Sequence, residues 1–220
     1  MITAHHLVFG RKYVQSADLN NSLFINNIAS PVVMNGKVTR TTDHKGGNTA
    51  IQFGSGNLVS MNNLPASPVW SVAFWMKTNT TVLNQMLFEL TTFWDKKNAF
   101  GCLFNHSVLN GLSGAVTNTF DEYNILRNVD TYNDNQWHHI VMIFDRAQPS
   151  ANEVKIYKDK ILKSTNPTIT AENTGNFISD KIYLGCRGNS YQLPFVGATS
   201  PIKMFNYPLT QTEITNLYNE

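Results

Sequence analysis

Alternation is clearest in residues 135–145, Asn-Gln-Trp-His-His-Ile-Val-Met-Ile-Phe-Asp. Successive residues of a strand point to opposite faces, so Trp137, His139, Val141 and Ile143 share one side and His138, Ile140, Met142 and Phe144 the other. Both sides are apolar or aromatic, which is the pattern of a strand covered from both directions. The segment is therefore predicted to be a central strand of a two-layer β structure. The adjacent histidines invite a metal or catalytic reading, but neighbours on a strand face apart and cannot share one ion. Both are read as structural.

The same reasoning extends along the chain. Residues 70–77 place Trp70, Val72, Phe74 and Met76 on one continuous apolar face, with Ser71, Ala73, Trp75 and Lys77 on the other. Residues 50–53 and 57–61 read as two strands joined by the tight turn Gly54-Ser55-Gly56, taken as a hairpin turn, and Asn35-Gly36 between two apolar segments signals a hairpin as well. Residues 83–90, 100–104 and 111–116 are expected strands, and residues 117–135 a polar passage. Residues 153–162 read as strand, turn at Asp159-Lys160, and return strand. A Thr/Asn loop at 163–179, a strand at 181–185 and short strands around 195–197 and 202–207 follow. One helix is expected, with Thr210 as N-cap, Glu213 three residues on as its capping-box partner, and Leu209 stapling against Ile214.

Composition supports many strands on Asn- and Gly-rich turns: 42% of residues are hydrophobic, 11% aromatic and only 15% charged. Polarity comes from Asn, Thr and Ser, which suit turns and pleated strands. At 220 residues the chain fits one sandwich domain, expected over residues 21–220, with 1–20 as an N-terminal arm or edge strand. A net charge of +2 with scattered lysines gives no electrostatic case for nucleic acid. Cys102 and Cys186 have no zinc-like spacing; buried free thiols are the expectation, with a disulfide allowed. No apolar run approaches a membrane span, and the N-terminus shows no charged leader before a long apolar core, so a soluble chain without signal peptide is expected.

The candidate chemistry is modest. Trp94 and Asp95 lie in an exposed-looking loop, and loops carry binding groups more often than cores do. Arg187, Asn189 and Tyr191 form a second polar-aromatic loop, and Tyr123 offers a further aromatic face. In the oxygen-rich passage Asp121, Asp130 and Asp134 are calcium candidates, although the spacing is not that of an EF-hand and solvated turns account for the same residues. No cofactor other than calcium suggests itself.

Several blocks, taken in order, resemble the LamG-like, concanavalin A-like lectin/glucanase superfamily. They are Ala50–Phe53 with the following Gly-Ser-Gly-Asn-Leu-Val, Phe74-Trp75-Met76-Lys77, Trp137-His138-His139-Ile140-Val141, and Val154-Lys155-Ile156-Tyr157-Lys158-Asp159. Ile182-Tyr183-Leu184-Gly185 and the ending Phe205-Asn206-Tyr207-Pro208-Leu209-Thr210, Glu213-Ile214, Leu217-Tyr218 complete the set. The resemblance covers about residues 20–219 and implies an all-β, two-sheet antiparallel jelly-roll sandwich with one short C-terminal helix. It also implies a non-catalytic module that binds glycans or proteins outside cells. Two departures stand out: Ser200-Pro201 replaces an Asp-Glu pair common in the family, and Lys160 replaces the glycine of an Asp-Gly turn. Loss of those acids weakens the case for a metal site near that strand.

An enzyme is not expected. The hydrolytic branch of the superfamily sets paired carboxylates on one strand, whereas the only acids four apart here are Asp130 and Asp134, in a turn. There is no Gly-x-Ser-x-Gly elbow and no phosphate-binding glycine loop. Two roles follow. One is a structural or binding protein displayed on a virus particle, such as a phage capsid decoration or fibre component, whose partners are the assembly and, through it, a glycan or host receptor. The alternative is an extracellular or cell-surface carbohydrate-binding module.

Overall fold

Eighteen strands and one helix appear in the computed structural model, which describes residues 15–16, 22–25, 28–35, 39–62, 65–90, 98–118, 123–163, 168–169, 175–178, 181–188 and 192–220. The strands are β1 (Gln15–Ser16), β2 (Ser22–Ile25), β3 (Ile28–Asn35), β4 (Thr39–Thr41), β5 (Ala50–Phe53), β6 (Leu58–Asn62), β7 (Val69–Lys77), β8 (Gln85–Leu90) and β9 (Phe100–Phe104). They continue as β10 (Gly111–Thr117), β11 (Tyr123–Val129), β12 (His138–Asp145), β13 (Val154–Lys158), β14 (Ile161–Lys163), β15 (Thr168–Ile169), β16 (Lys181–Leu184), β17 (Gly197–Thr199) and β18 (Lys203–Phe205), before helix α1 (Gln211–Asn219).

The strands form two antiparallel sheets. Sheet I runs β14-β13-β12-β7-β17-β5-β4, with β18 also on β7 and β1 on β18; sheet II runs β15-β11-β10-β9-β8-β16-β6-β3-β2. The expected central strand is central: β12 pairs with β7 on one side and β13 on the other. Trp137 lies just outside it.

Alternation sorts the side chains as anticipated. Trp70, Val72, Phe74, Met76, Ile140, Met142 and Phe144 of sheet I meet Phe88, Phe100, Cys102, Phe104, Leu112 and Val116 of sheet II in one core. The layers touch through rings, Phe100 stacked on Phe144 at 4.5 Å and Phe74 edge-on to Phe88 at 6.0 Å. At Gly114 they come so close that a Cβ would stand 2.7 Å from both Met142 Cε and Val154 Cγ1. Cys102 and Cys186 are free buried thiols, both held above the usual thiol range by burial.

A second, smaller core lies on the outer side of sheet I, where Ala73, Val141, Ile143 and Phe205 pack under Ile214 and Leu217 of α1. The helix begins as anticipated: the Thr210 hydroxyl accepts from the Glu213 N–H, and the Glu213 carboxylate accepts from the Thr210 N–H at 2.7 Å. Such a box is worth roughly 0.5–2 kcal/mol, and Leu209 joins Ile214 in the same cluster.

Three expectations need correcting. The Gly54–Gly56 turn exists, with Asn57 N–H donating to Gly54 O at 3.2 Å, but β5 belongs to sheet I and β6 to sheet II. It carries the chain across the sandwich instead of closing a hairpin. Asn35-Gly36 is likewise no hairpin, because β3 pairs with β6 and β4 with β5. In both places burying the flanking strands on opposite layers outweighs local pairing. The polar passage at 117–135 contains a full strand, β11, in register with all of β10 from Gly111↔Val129 to Thr117↔Tyr123.

Candidate functional site

Past the end of the smaller core, the outer face of sheet I opens into a cleft of about 440 Å³. Its floor is set by strand geometry: Trp75 on β7 and His139 on β12 are cross-strand partners, and both point outward because Phe74 and Ile140 point in. Tyr218, on the last turn of α1, leans over them with its ring 5.1 Å from Trp75 and 5.9 Å from His139. The segment 42–49 between β4 and β5 supplies the opposite wall, and from it His44 lies flat on Trp75, centroids 4.1 Å apart and planes 13° from parallel. Four rings thus converge, with Asp43, Lys45, Thr49, Ser200, Lys203 and Glu220 around them.

The charged groups of the rim are largely engaged. The Asp43 carboxylate accepts from the N–H groups of Lys45 (2.8 Å) and Gly47 (3.0 Å) and from the Thr49 hydroxyl. Burial opposes its ionisation, but those hydrogen bonds prevail and hold it below the ordinary carboxylate value. Glu220 pairs with Lys203. Ser200, at the position where the resemblance expects an acid, accepts from Trp75 N–H at 2.9 Å and donates to Pro201 O at 3.0 Å. The imidazoles are different. Both ring nitrogens of His44 and Nδ1 of His139 are buried without hydrogen-bond partners. Burial, above all, lowers both histidines' affinity for a proton, that of His139 to about 4.

His138 leaves the opposite face of β12, as alternation requires. Its Nδ1 meets Asp159 Oδ2 at 2.8 Å and its Nε2 meets Asp134 Oδ1 at 3.1 Å, tying the 134–138 turn to the β13–β14 hairpin.

Of the residues singled out from sequence, Asp130, Asp134 and Arg187 are described with their side chains, and none of the three lines this cleft. Trp94, Asp95, Asp121, Asn189 and Tyr191 lie outside the described residues, and of Tyr123 only the backbone is described, heading β11. Arg187 follows β16 in a loop closed by its own N–H to Gln192 O at 2.9 Å, on sheet II; β8, β9 and β10 stand between β16 and β11. Asp130 accepts from Thr131 N–H and pairs with Lys163 (2.7 Å) and Lys158 (3.4 Å). Burial is outweighed there, so its carboxyl is held below the ordinary value. Two lysines thus supply the positive charge that calcium would bring, and Asp134 is turned to His138. Among the described residues no three His, Cys, Asp or Glu side chains converge as a metal site.

The cleft itself was missed in the sequence. Its one local signal was Trp75, a large aromatic on the side of β7 away from Trp70, Val72, Phe74 and Met76.

No curated protein matches the sequence. The family pattern described as the concanavalin A-like lectin/glucanases superfamily matches residues 45–215. Among solved structures, the receptor binding domain of botulinum neurotoxin C/D mosaic serotype superposes with a TM-score of 0.71 at 15% identity, over 94% of this chain and 51% of that one. The botulinum neurotoxin serotype D ligand binding domain in complex with N-acetylneuraminic acid gives 0.68 at 15%, over 94% and 50%. The chain thus spans about half the length of these toxin domains. Domain 4 of AbnA, a GH43 extracellular arabinanase from Geobacillus stearothermophilus, in complex with arabinotriose, gives 0.68 at 16%, over 94% of this chain and 98% of that one. At such identities the likeness is one of fold.

Proposed function

This chain belongs to the concanavalin A-like lectin/glucanases superfamily, and from that premise we propose that it is a non-catalytic glycan-binding domain whose ligand seats in the cleft over Trp75. The observation that carries the reading is the cleft's composition: aromatic faces at the bottom and charged or hydroxyl groups at the rim. Sugars present C–H faces that pack on such rings and hydroxyls that suit such rims, and a few placed polar groups in an otherwise apolar recess give orientation. The carboxylates in reach favour binding over hydrolysis. Asp43 is held by its own loop and Glu220 by Lys203, so neither is free to act as the acid or the nucleophile of a glycosidase.

The test is a glycan array followed by titration with wild type and Trp75→Ala. The expected result is one or more hits whose binding falls at least tenfold in the variant while its circular dichroism is unchanged. A flat array, or hits indifferent to Trp75, would overturn it. Chelators are expected to leave binding unchanged, since Lys158 and Lys163 already neutralise Asp130; loss of binding in EDTA would restore calcium. The same reading applies whether the domain is carried on a virus particle, the first setting expected from sequence, or on a cell surface. Mass spectrometry of purified particles separates those settings.

A further inference from the structure

One face of Trp75 is already covered, and by this chain's own His44. An imidazole normally uses its nitrogens as one donor and one acceptor, and leaving both dry carries a cost that a fully apolar plug would avoid. Yet both nitrogens of His44 are buried and unpartnered, and directly beyond Trp75 the ring of His139, itself only 3% exposed, buries an unpartnered Nδ1. Among the described residues, the hydrogen bonds that brace the segment carrying His44 run within it. Asp43 N–H donates to Gly47 O at 2.7 Å and Gly46 N–H to Asp43 O at 3.1 Å. The Asp43 carboxylate is held as described above, and a Cβ at Gly47 would strike it at 2.7 Å. A unit tied to itself in this way can lift without unravelling.

We infer that residues 42–49 form a flap whose His44 ring occupies the place of the ligand, and that a pyranose or furanose ring binds by displacing it from Trp75. The inference rests on the glycan reading of the cleft. With the flap lifted, the nitrogens of His44 reach water or ligand hydroxyls, and His139 gains a partner beneath the sugar. Apparent affinity is then reduced by the fraction of molecules with the flap open.

Acid favours the lifted state. The titratable groups around His44 are Asp43 and Lys45 on its own segment, His139 on β12, Lys203 on β18, and Glu220 just past the end of α1; Tyr218 on α1 packs on Trp75 and His139. Burial is the largest influence on the stacked ring and lowers its proton affinity; Asp43 opposes this, while Lys45 and Lys203 add to it. A lifted His44 returns toward its ordinary value, so each proton bound as pH falls through about 6.5 stabilises the open form. His139, lowered by the same main cause, acts in the same direction.

Two measurements decide it. The first needs no ligand: Trp75 shifts the His44 ring protons upfield in the NMR spectrum while the stack persists. Those signals are expected to move toward free-imidazole positions between pH 7.5 and 5; signals that stay upfield throughout would overturn the flap, whatever the protein binds. The second titrates wild type, His44→Ala and His44→Phe with arabinotriose and with N-acetylneuraminic acid. His44→Ala is expected to bind about tenfold tighter than wild type at pH 7.5, as for a flap open about one tenth of the time, and to lose the gain on acidification. His44→Phe, which stacks but cannot titrate, should bind no tighter than wild type at any pH. Equal affinity of wild type and His44→Ala would overturn the displacement. Silence of all three proteins toward both sugars would overturn the ring-ligand half together with the glycan reading, while the NMR result still decides the flap.

Discussion

Side by side in the middle of sheet I, β7 and β12 change character halfway along their outer faces. On one half Ala73, Val141 and Ile143 lie dry beneath Phe205, Ile214 and Leu217. The Ser71 hydroxyl there donates to Tyr207 O at 2.7 Å and accepts from Leu209 N–H at 3.1 Å. Two residues along each strand, Trp75 and His139 take the place of aliphatic side chains, and imidazole nitrogens go unpaired. The strands and the layer are the same; the cover differs. Over the first half lies a helix whose side chains interlock with the sheet, and over the second the end of that helix, the 200–203 segment and a glycine-containing loop. A sheet face becomes core where its cover fits and a site where it does not.

The sharpest way to break that contrast is to remove one side chain from each half. Ile214→Ala, in the dry half, is expected to cost about 2–5 kcal/mol, because truncating a buried isoleucine loses transfer energy and leaves a cavity. Urea unfolding at pH 7 reads it directly, and a loss under 1 kcal/mol would mean that α1 is loosely held. His139→Leu, equally buried, should change stability by less than about 1 kcal/mol at the same pH. It fills the space and removes a polar atom that has no partner to lose.

Acid should separate the halves next. His139 takes its proton at about 4 in the folded protein against an ordinary 6.5. A group so depressed contributes fully above 6.5 and loses that contribution as pH falls toward 4, up to about 3 kcal/mol. Asp43, Asp130 and Asp134 are all held below their ordinary 3.8 and act only at lower pH. Wild type should therefore weaken between pH 6.5 and 4, with a flatter profile in His139→Leu. Parallel profiles would show that His139 is not the group concerned.

How much of this was legible in the sequence follows from range. β7, β12, β13 and α1 could be read because their signals are local: a period of two with bulky residues on one side, and a cap followed three residues later by its carboxylate. The turns at Gly54–Gly56 and Asp159-Lys160 were also local. What Gly54 does was not, since a tight turn is the same chemistry whether the next strand pairs back or crosses to the other layer. β11 escaped because Asn124 and Asn128 break its apolar face; their partners, Glu153 and Tyr132, come later in the chain. The cleft is non-local throughout: His44, in a polar loop, gains meaning only when β5 and β17 bring that loop over Trp75.

The smallest effect lies beside the cleft, at the turn where the family's glycine is replaced. Asp159 and Lys160 both adopt left-handed backbone, with φ of 50° and 73°, as a two-residue hairpin turn demands. Aspartate tolerates that conformation better than lysine, for which it costs on the order of 1 kcal/mol. Against this, the Lys160 ammonium sits 4.2 Å over the Tyr218 ring, a contact worth about 0.5–1 kcal/mol in an exposed setting. Lys160→Gly relieves the strain and loses the contact, so thermal unfolding should rise by no more than a few tenths of a kcal/mol in equivalent stability. Lys160→Ala keeps most of the strain without the contact and should fall below wild type. If both variants fall equally, the cation over Tyr218 outweighs the backbone, and lysine stands there to hold the Tyr218 ring that packs on Trp75 and His139.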